Sequence, residues 1–91
     1  MNPKKYEFNA VIQKVEDIDG AYIIFPYDVE QEFGKKRVFV DATFDGYPYQ
    51  GSLVRMKTPY HIIGIQKAIR QIIGKQAGDE IEVTIQERVR Q

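Results

Sequence analysis

Between Arg37 and Leu53 the chain reads RVFVDATFDGYPYQGSL, a run in which apolar and polar residues alternate up to Asp45-Gly46 and resume beyond it. Val38, Val40, Ala42 and Phe44 fall on one side of a two-residue period, and Phe39, Asp41 and Thr43 on the other. Asp-Gly suits a two-residue turn whose central residues take positive φ, so the stretch predicts a β-hairpin. A hairpin with one apolar face has to be covered, and the other segments supply strands of the same kind. The expectation is an all-β chain: a small closed or nearly closed β-barrel of about six strands with one or two short helices.

Tyr6 to Val15 (YEFNAVIQKV) places Tyr6, Phe8, Ala10 and Ile12 on one side and predicts a first strand. The acidic run Glu16-Asp17-Ile18-Asp19-Gly20 reads as a turn, and Ala21 to Pro26 (AYIIFP) as a second strand that proline ends. From Asp28 to Gly34 the period changes: Asp28 suits a helix N-cap, Val29 and Phe33 lie four apart, and Gly34 suits the stop. Tyr47 to Met56 returns the hairpin, with Gly51 suggesting a bulge or bend. Thr58-Pro59 breaks the pattern, and Tyr60 to Ile63 predicts a brief strand. Gln66 to Ile73 with Ile65, Ile69, Ile72 and Ile73 on one face predicts a helix that Gly74 caps, covering an open end of the barrel. Ile81, Val83 and Ile85 then alternate with Glu80, Glu82, Thr84 and Gln86 in a half-exposed strand, with Glu87 to Gln91 a frayed end. No fixed-period repeat is visible, although residues 28–44 and 65–86 share one plan of turn, short helix, glycine and strand.

Ninety-one residues fit one domain, 1–91, with room for a single core. Hydrophobic residues make up 43% and charged residues 29%, which argues against extended disorder. With six tyrosines and five phenylalanines, a few buried rings of roughly 150–250 Å² each supply much of a core. The absence of cysteine excludes disulfides, thiolate metal sites and cysteine nucleophiles, and fits a reducing compartment. MNPKKYEFNA has no apolar stretch of secretory type, and no run approaches about 18 apolar residues. A cytoplasmic location and no membrane association are the expectation.

The order of elements is itself informative. An aromatic first strand, YIIFP before a short helix, the FDGYPYQGSL hairpin and the ending IGIQKAIRQIIGKQAGDEIEVTI resemble the small bacterial domain of unknown function DUF1905 over nearly the whole chain. The parts that carry the resemblance most specifically are Asp45-Gly46-Tyr47-Pro48-Tyr49 and the helix followed by Gly78-Asp79 and an alternating strand. The resemblance implies a compact β-barrel, in some members fused to a domain associated with bacteriocin protection, and implies no activity. The chain departs from the family pattern at Tyr60-His61, where a glycine-containing loop is expected, and a fused second domain is not expected here.

Residue chemistry points away from catalysis. His61 is the sole histidine, so a histidine-rich metal site is ruled out, and a serine triad would have to join it to Ser52, which has no glycine-framed nucleophile turn. Asp41, Asp45 and Asp79 are the carboxylates nearest turns or strand faces, and turn chemistry accounts for Asp45-Gly46 and Gly78-Asp79. Gly74-Lys75-Gln76-Ala77-Gly78 follows a helix instead of preceding one, which is a helix stop and not a phosphate loop. No metal or other cofactor is called for.

Two surfaces remain as candidates. Net charge is zero, yet between Gly34 and Lys75 the bases Lys35, Lys36, Arg37, Arg55, Lys57, Lys67, Arg70 and Lys75 face only Asp41 and Asp45. That segment also carries Tyr47, Tyr49 and Tyr60, the pairing of charge and stacking that small barrels offer nucleic acids. Tyr47, Tyr49, Tyr60 and His61 form the second candidate, an aromatic ligand or partner surface. The sequence therefore predicts a non-enzymatic binding or interaction module for an unknown small molecule or protein, monomeric or homodimeric. Weak nucleic-acid binding through Lys35, Lys36, Arg37, Arg55, Lys57, Lys67 and Arg70 is the alternative.

Overall fold

Asp45 and Gly46 both take positive φ, 48° and 85°, so the hairpin turns in the type I′ geometry whose twist matches its strands. It joins β4 (Val38–Phe44) to β5 (Tyr47–Leu53), paired residue for residue from Phe44–Tyr47 to Val38–Leu53. A computed structural model describes residues 4–15, 20–55 and 60–88. Residues 16–19 of the predicted acidic turn, Met56, Lys57, Thr58-Pro59 and the residues after 88 lie outside that set.

The chain is mostly β. Its other elements are β1 (Lys5–Val11), β2 (Gln13–Val15), β3 (Gly20–Ile24), α1 (Val29–Phe33), β6 (Ile62–Gly64), α2 (Lys67–Ile73) and β7 (Glu80–Glu87). Two sheets form, one ordered β1-β7-β4-β5 and one ordered β2-β3-β6, every neighbour antiparallel. Neither sheet closes on itself. They are tied on one side by the chain, which leaves β1 at buried Ile12 and enters β2, and on the other by the isolated bridge Val54–Ile62. No helix among the described residues is long and apolar enough to cross a membrane.

The shared plan seen in the sequence is real in space. The run β1/β2, β3, α1, β4 is repeated by β5, β6, α2, β7, and the two copies meet at the central antiparallel pairs β3–β6 and β4–β7. Phe25 N–H donates to the His61 carbonyl at 2.9 Å, and Ile65 N–H donates to the Ala21 carbonyl at the same 2.9 Å. A shift of forty positions relates those two bonds, as it relates the left-handed caps Gly34 and Gly74. A pseudo-two-fold axis therefore runs between the halves.

The predicted alternation supplies the core. Val38, Val40, Ala42 and Phe44 of β4, Ile81, Val83 and Ile85 of β7, and Ile23 and Ile63 of the small sheet are buried together. At roughly 25 cal/mol per Å² of apolar surface, each fully buried Val, Ile or Phe contributes about 1.5–3 kcal/mol before its entropy cost. An aromatic group closes one end: Tyr6 lies 5.4 Å from Phe25, 5.4 Å from Tyr27 and 5.6 Å from Phe33, centroid to centroid. The Tyr6 hydroxyl donates to Glu32 Oε1 at 2.6 Å, giving the buried ring a polar anchor on α1.

Several expectations change. The first strand is broken at Ile12, whose N–H donates to the Asp79 carbonyl. The register runs unbroken through Gly51, so there is no bulge; a Cβ there would sit 2.5 Å from Tyr49 Cε2, and the glycine exists to let that ring lie across it. Ile65 and Ile69 are buried and Ile73 half-buried, but Ile72 points outward at 60% exposure, since α2 spans only seven residues and packs through a narrower stripe than four isoleucines. Glu87 is not frayed. It is the last residue of β7, on the inward side with Ile81, Val83 and Ile85, and buried.

Candidate cationic site

Two backbone features bring one group of bases together. Asp28 caps α1 by accepting from Gln31 N–H at 3.1 Å, Gly34 ends it in the left-handed conformation, and the chain then passes through Lys35, Lys36 and Arg37 into β4. The Val54–Ile62 bridge sets Arg55 opposite His61, one residue beyond the pair on each strand. His61 is buried, and its Nε2 lies 2.6 Å from the Lys36 carbonyl. A carbonyl only accepts, so the imidazole carries its proton on Nε2 and pins the loop after α1 to the start of β6.

The result is a depression of about 270 Å³ lined by Glu30, Lys36, Arg37, Val54, Arg55 and His61. Three cations face one carboxylate there, so the depression favours an anion. Beside it, Arg37 lies over the ring of Phe39 with 5.6 Å between guanidinium and centroid, and Phe39 is 39% exposed.

The remaining predicted residues go elsewhere. Lys67 and Arg70 line a separate depression of about 390 Å³ with Gln71, Gly74, Lys75 and Gln76, which shares no residue with the first. Arg70 and Gln76 there take the places of Glu30 and Lys36 under the forty-residue shift, so the two depressions are pseudo-symmetric counterparts. Lys35 turns away to Glu87, Nζ to Oε2 2.7 Å, and Lys57 lies outside the described residues. Among the described residues, Lys36, Arg37 and Arg55 thus line one depression and Lys67 and Arg70 another.

The tyrosines do not gather around His61 either. Tyr47 and Tyr49 lie on the inward side of β5, half-buried against the core, with Tyr49 5.7 Å from Phe44. Tyr60 is 49% exposed. Ser52 lies opposite Phe39 and does not line the depression that holds His61. Of the aspartates, Asp45 sits in the hairpin turn at positive φ as predicted, but its Oδ1 reaches across to accept from Glu82 N–H of β7 at 2.8 Å; Asp79 Oδ2 accepts from Gln76 N–H at 2.9 Å, a local turn contact; Asp41 is exposed on the outer sheet face. Among the described residues no three His, Cys, Asp or Glu side chains gather to hold a metal ion.

Sequence reasoning missed Glu87 and Glu30. The signal for Glu87 was present, because it extends the inward series of Ile81, Val83 and Ile85 by one step. Glu30 gave none: as a first-turn acid its role at the helix terminus is all that spacing reveals.

A family model described as Domain of unknown function (DUF1905) matches residues 8–85, from the middle of β1 to near the end of β7. The chain belongs to the DUF1905 family. The match takes in both ββαβ halves and every residue around the His61 depression, so the cationic site lies inside the DUF1905 domain and not in an appendage. No curated protein matches this DUF1905 chain.

Proposed function

We propose that this DUF1905 domain is a non-enzymatic binding module that takes a small anionic ligand, a phosphate or polycarboxylate, at Lys36, Arg37, Arg55 and His61. The observation that carries the reading is the convergence of three cations on one depression in a chain of zero net charge. Arg37 and Arg55 supply planar donor forks suited to two oxygens of one anion, Lys36 supplies a point charge, and buried His61 fixes the loop that carries Lys36. The scaffold is best read as a barrel in the functional sense. Its two sheets are tied at Ile12 and at Val54–Ile62, so the depression stands on a frame held from both sides. A bacterial cytoplasmic setting, with abundant phosphorylated and carboxylated metabolites and no need for disulfides, suits this reading.

The test is an NMR titration with pyrophosphate and with citrate. Amide shifts confined to 36, 37, 55 and 61, and weakened about tenfold or more by Arg55→Ala, support the site. Saturation with no shifts there at millimolar ligand refutes it.

A second reading, single-stranded nucleic acid, is favoured by one observation: the exposed Phe39 ring with Arg37 over it borders the same cations. Here affinity for an oligonucleotide falls steeply between low and physiological salt, and Phe39→Ala weakens the oligonucleotide while leaving pyrophosphate untouched. Absence of salt-dependent binding at micromolar protein removes this reading.

A further inference from the structure

The hairpin closes on the Phe44–Tyr47 pair, and in an antiparallel ladder hydrogen-bonded and non-hydrogen-bonded pairs alternate. Ala42–Tyr49, Val40–Gly51 and Val38–Leu53 therefore exchange bonds, whereas Thr43–Pro48, Asp41–Gln50 and Phe39–Ser52 do not. The main-chain groups of Pro48, Gln50 and Ser52 face away from β4. An independent contact agrees: Val54, next in the same series, exchanges both its bonds with Ile62 at 3.0 and 2.7 Å. β6 leaves that line to pair with β3, so β5 is an edge of its sheet, and among the described residues nothing pairs with Gln50 and Ser52 on that side.

Edge strands are usually guarded by charge, because their unpaired groups template further pairing. The pseudo-equivalent edge β1 carries exposed Lys5 and Glu7. Tyr47–Ser52, YPYQGS, carries no charge at all. The pattern along it is also self-complementary about Gln50.

We propose that β5 pairs antiparallel with β5 of a second copy of this chain across a two-fold axis at Gln50, joining two four-stranded sheets into one of eight. In that register each Gln50 N–H donates to the carbonyl of the other Gln50, and each Ser52 N–H donates to the Pro48 carbonyl of the other copy. Four main-chain bonds form, and the only donors missing are the two that proline lacks. Tyr49 comes opposite Gly51 of the other copy, so the ring meets a glycine across the axis as it does within its own strand. With no charges on the strand, the two-fold brings no like charges together.

Sedimentation of the wild-type chain at tens of micromolar is expected to give twice the 10.6 kDa of one copy. Gln50→Pro removes the central donor without touching the β4 ladder and is expected to give a monomer with an unchanged far-ultraviolet spectrum. The chain has no cysteine, so single cysteines report the register directly. Gln50→Cys is expected to cross-link into a covalent dimer under mild oxidation, its Cα atoms about 5.5 Å apart. Ser52→Cys is expected not to, since its own copy lies about 13 Å away along the strand. A monomeric wild type, a dimer that survives Gln50→Pro, or equal cross-linking of both cysteines would overturn the proposal. If Gln50→Pro fails to fold, the cysteine pair decides.

Discussion

Replacing Gly51 with alanine tests the account of β5 most directly. The new Cβ would stand 2.5 Å from Tyr49 Cε2 and 3.3 Å from Ile63 Cδ1. Carbon atoms settle at about 3.5–4.0 Å, so the tyrosine ring must retreat by roughly 1 Å, whereas the isoleucine methyl needs only a small rotation. The ring has little freedom, because Phe44 sits 5.7 Å away and is itself fully buried. Overpacking of this kind costs about 1–3 kcal/mol, against about 0.4–1 kcal/mol gained by replacing glycine in a conformation alanine accepts. The net expectation is a loss of about 1–2 kcal/mol, read as a fall of about 10 °C in Tm, at roughly 4–8 °C per kcal/mol for a domain of this size. The measurement is urea or thermal unfolding at fixed protein concentration, in the wild-type and Tyr49→Ala backgrounds. Without the ring the methyl enters vacated space, and Gly51→Ala becomes neutral or slightly stabilising. Equal losses in the two backgrounds would refute the argument, since the coupling assigned to ring and glycine would then be zero.

Two other perturbations bear on the site. His61→Ala removes a buried ring and its bond to the Lys36 carbonyl, and is expected to cost about 2–4 kcal/mol in urea unfolding, with amide exchange rising at 35–37 because the loop loses its tie to β6. Lys35→Ala strips the Nζ donor from the buried Glu87 carboxylate; because Lys35 is itself half exposed, the loss comes from the carboxylate's missing bond and is expected at about 1–3 kcal/mol, with Glu87→Gln relieving most of it in the double variant.

The residues that alternate were legible because each carries its own address. In β4 and β7 a two-residue period has only one apolar side, and a slip of one position would have exposed Val38, Val40, Ile81 and Val83 to water. Asp45-Gly46 fixed the turn, as few other dipeptides accept two positive φ values in a row. The caps Asp28, Gly34 and Gly74 were equally local. Legibility failed where a residue's neighbour is distant in the chain. The twenty-six-residue step from Tyr6 to Glu32 and the fifty-two-residue step from Lys35 to Glu87 leave no trace in local spacing. Spacing alone presents Gly51 as a backbone device, whereas the constraint comes from a ring two positions away on the same face and a methyl from β6.

By itself the sequence determined a β-rich chain, its hairpin, both short helices and the inward side of β1, β4 and β7, since period, turn chemistry and caps act over a few residues. Tertiary structure alone decided which cations meet. Lys36 and Arg37 stand beside Arg55 because the Val54–Ile62 bridge and the His61 bond draw two loops together, while Lys67 and Arg70 are carried to the pseudo-symmetric depression by the other half of the fold. Charge acts through space, and only the pairing of strands far apart in the chain sets those distances.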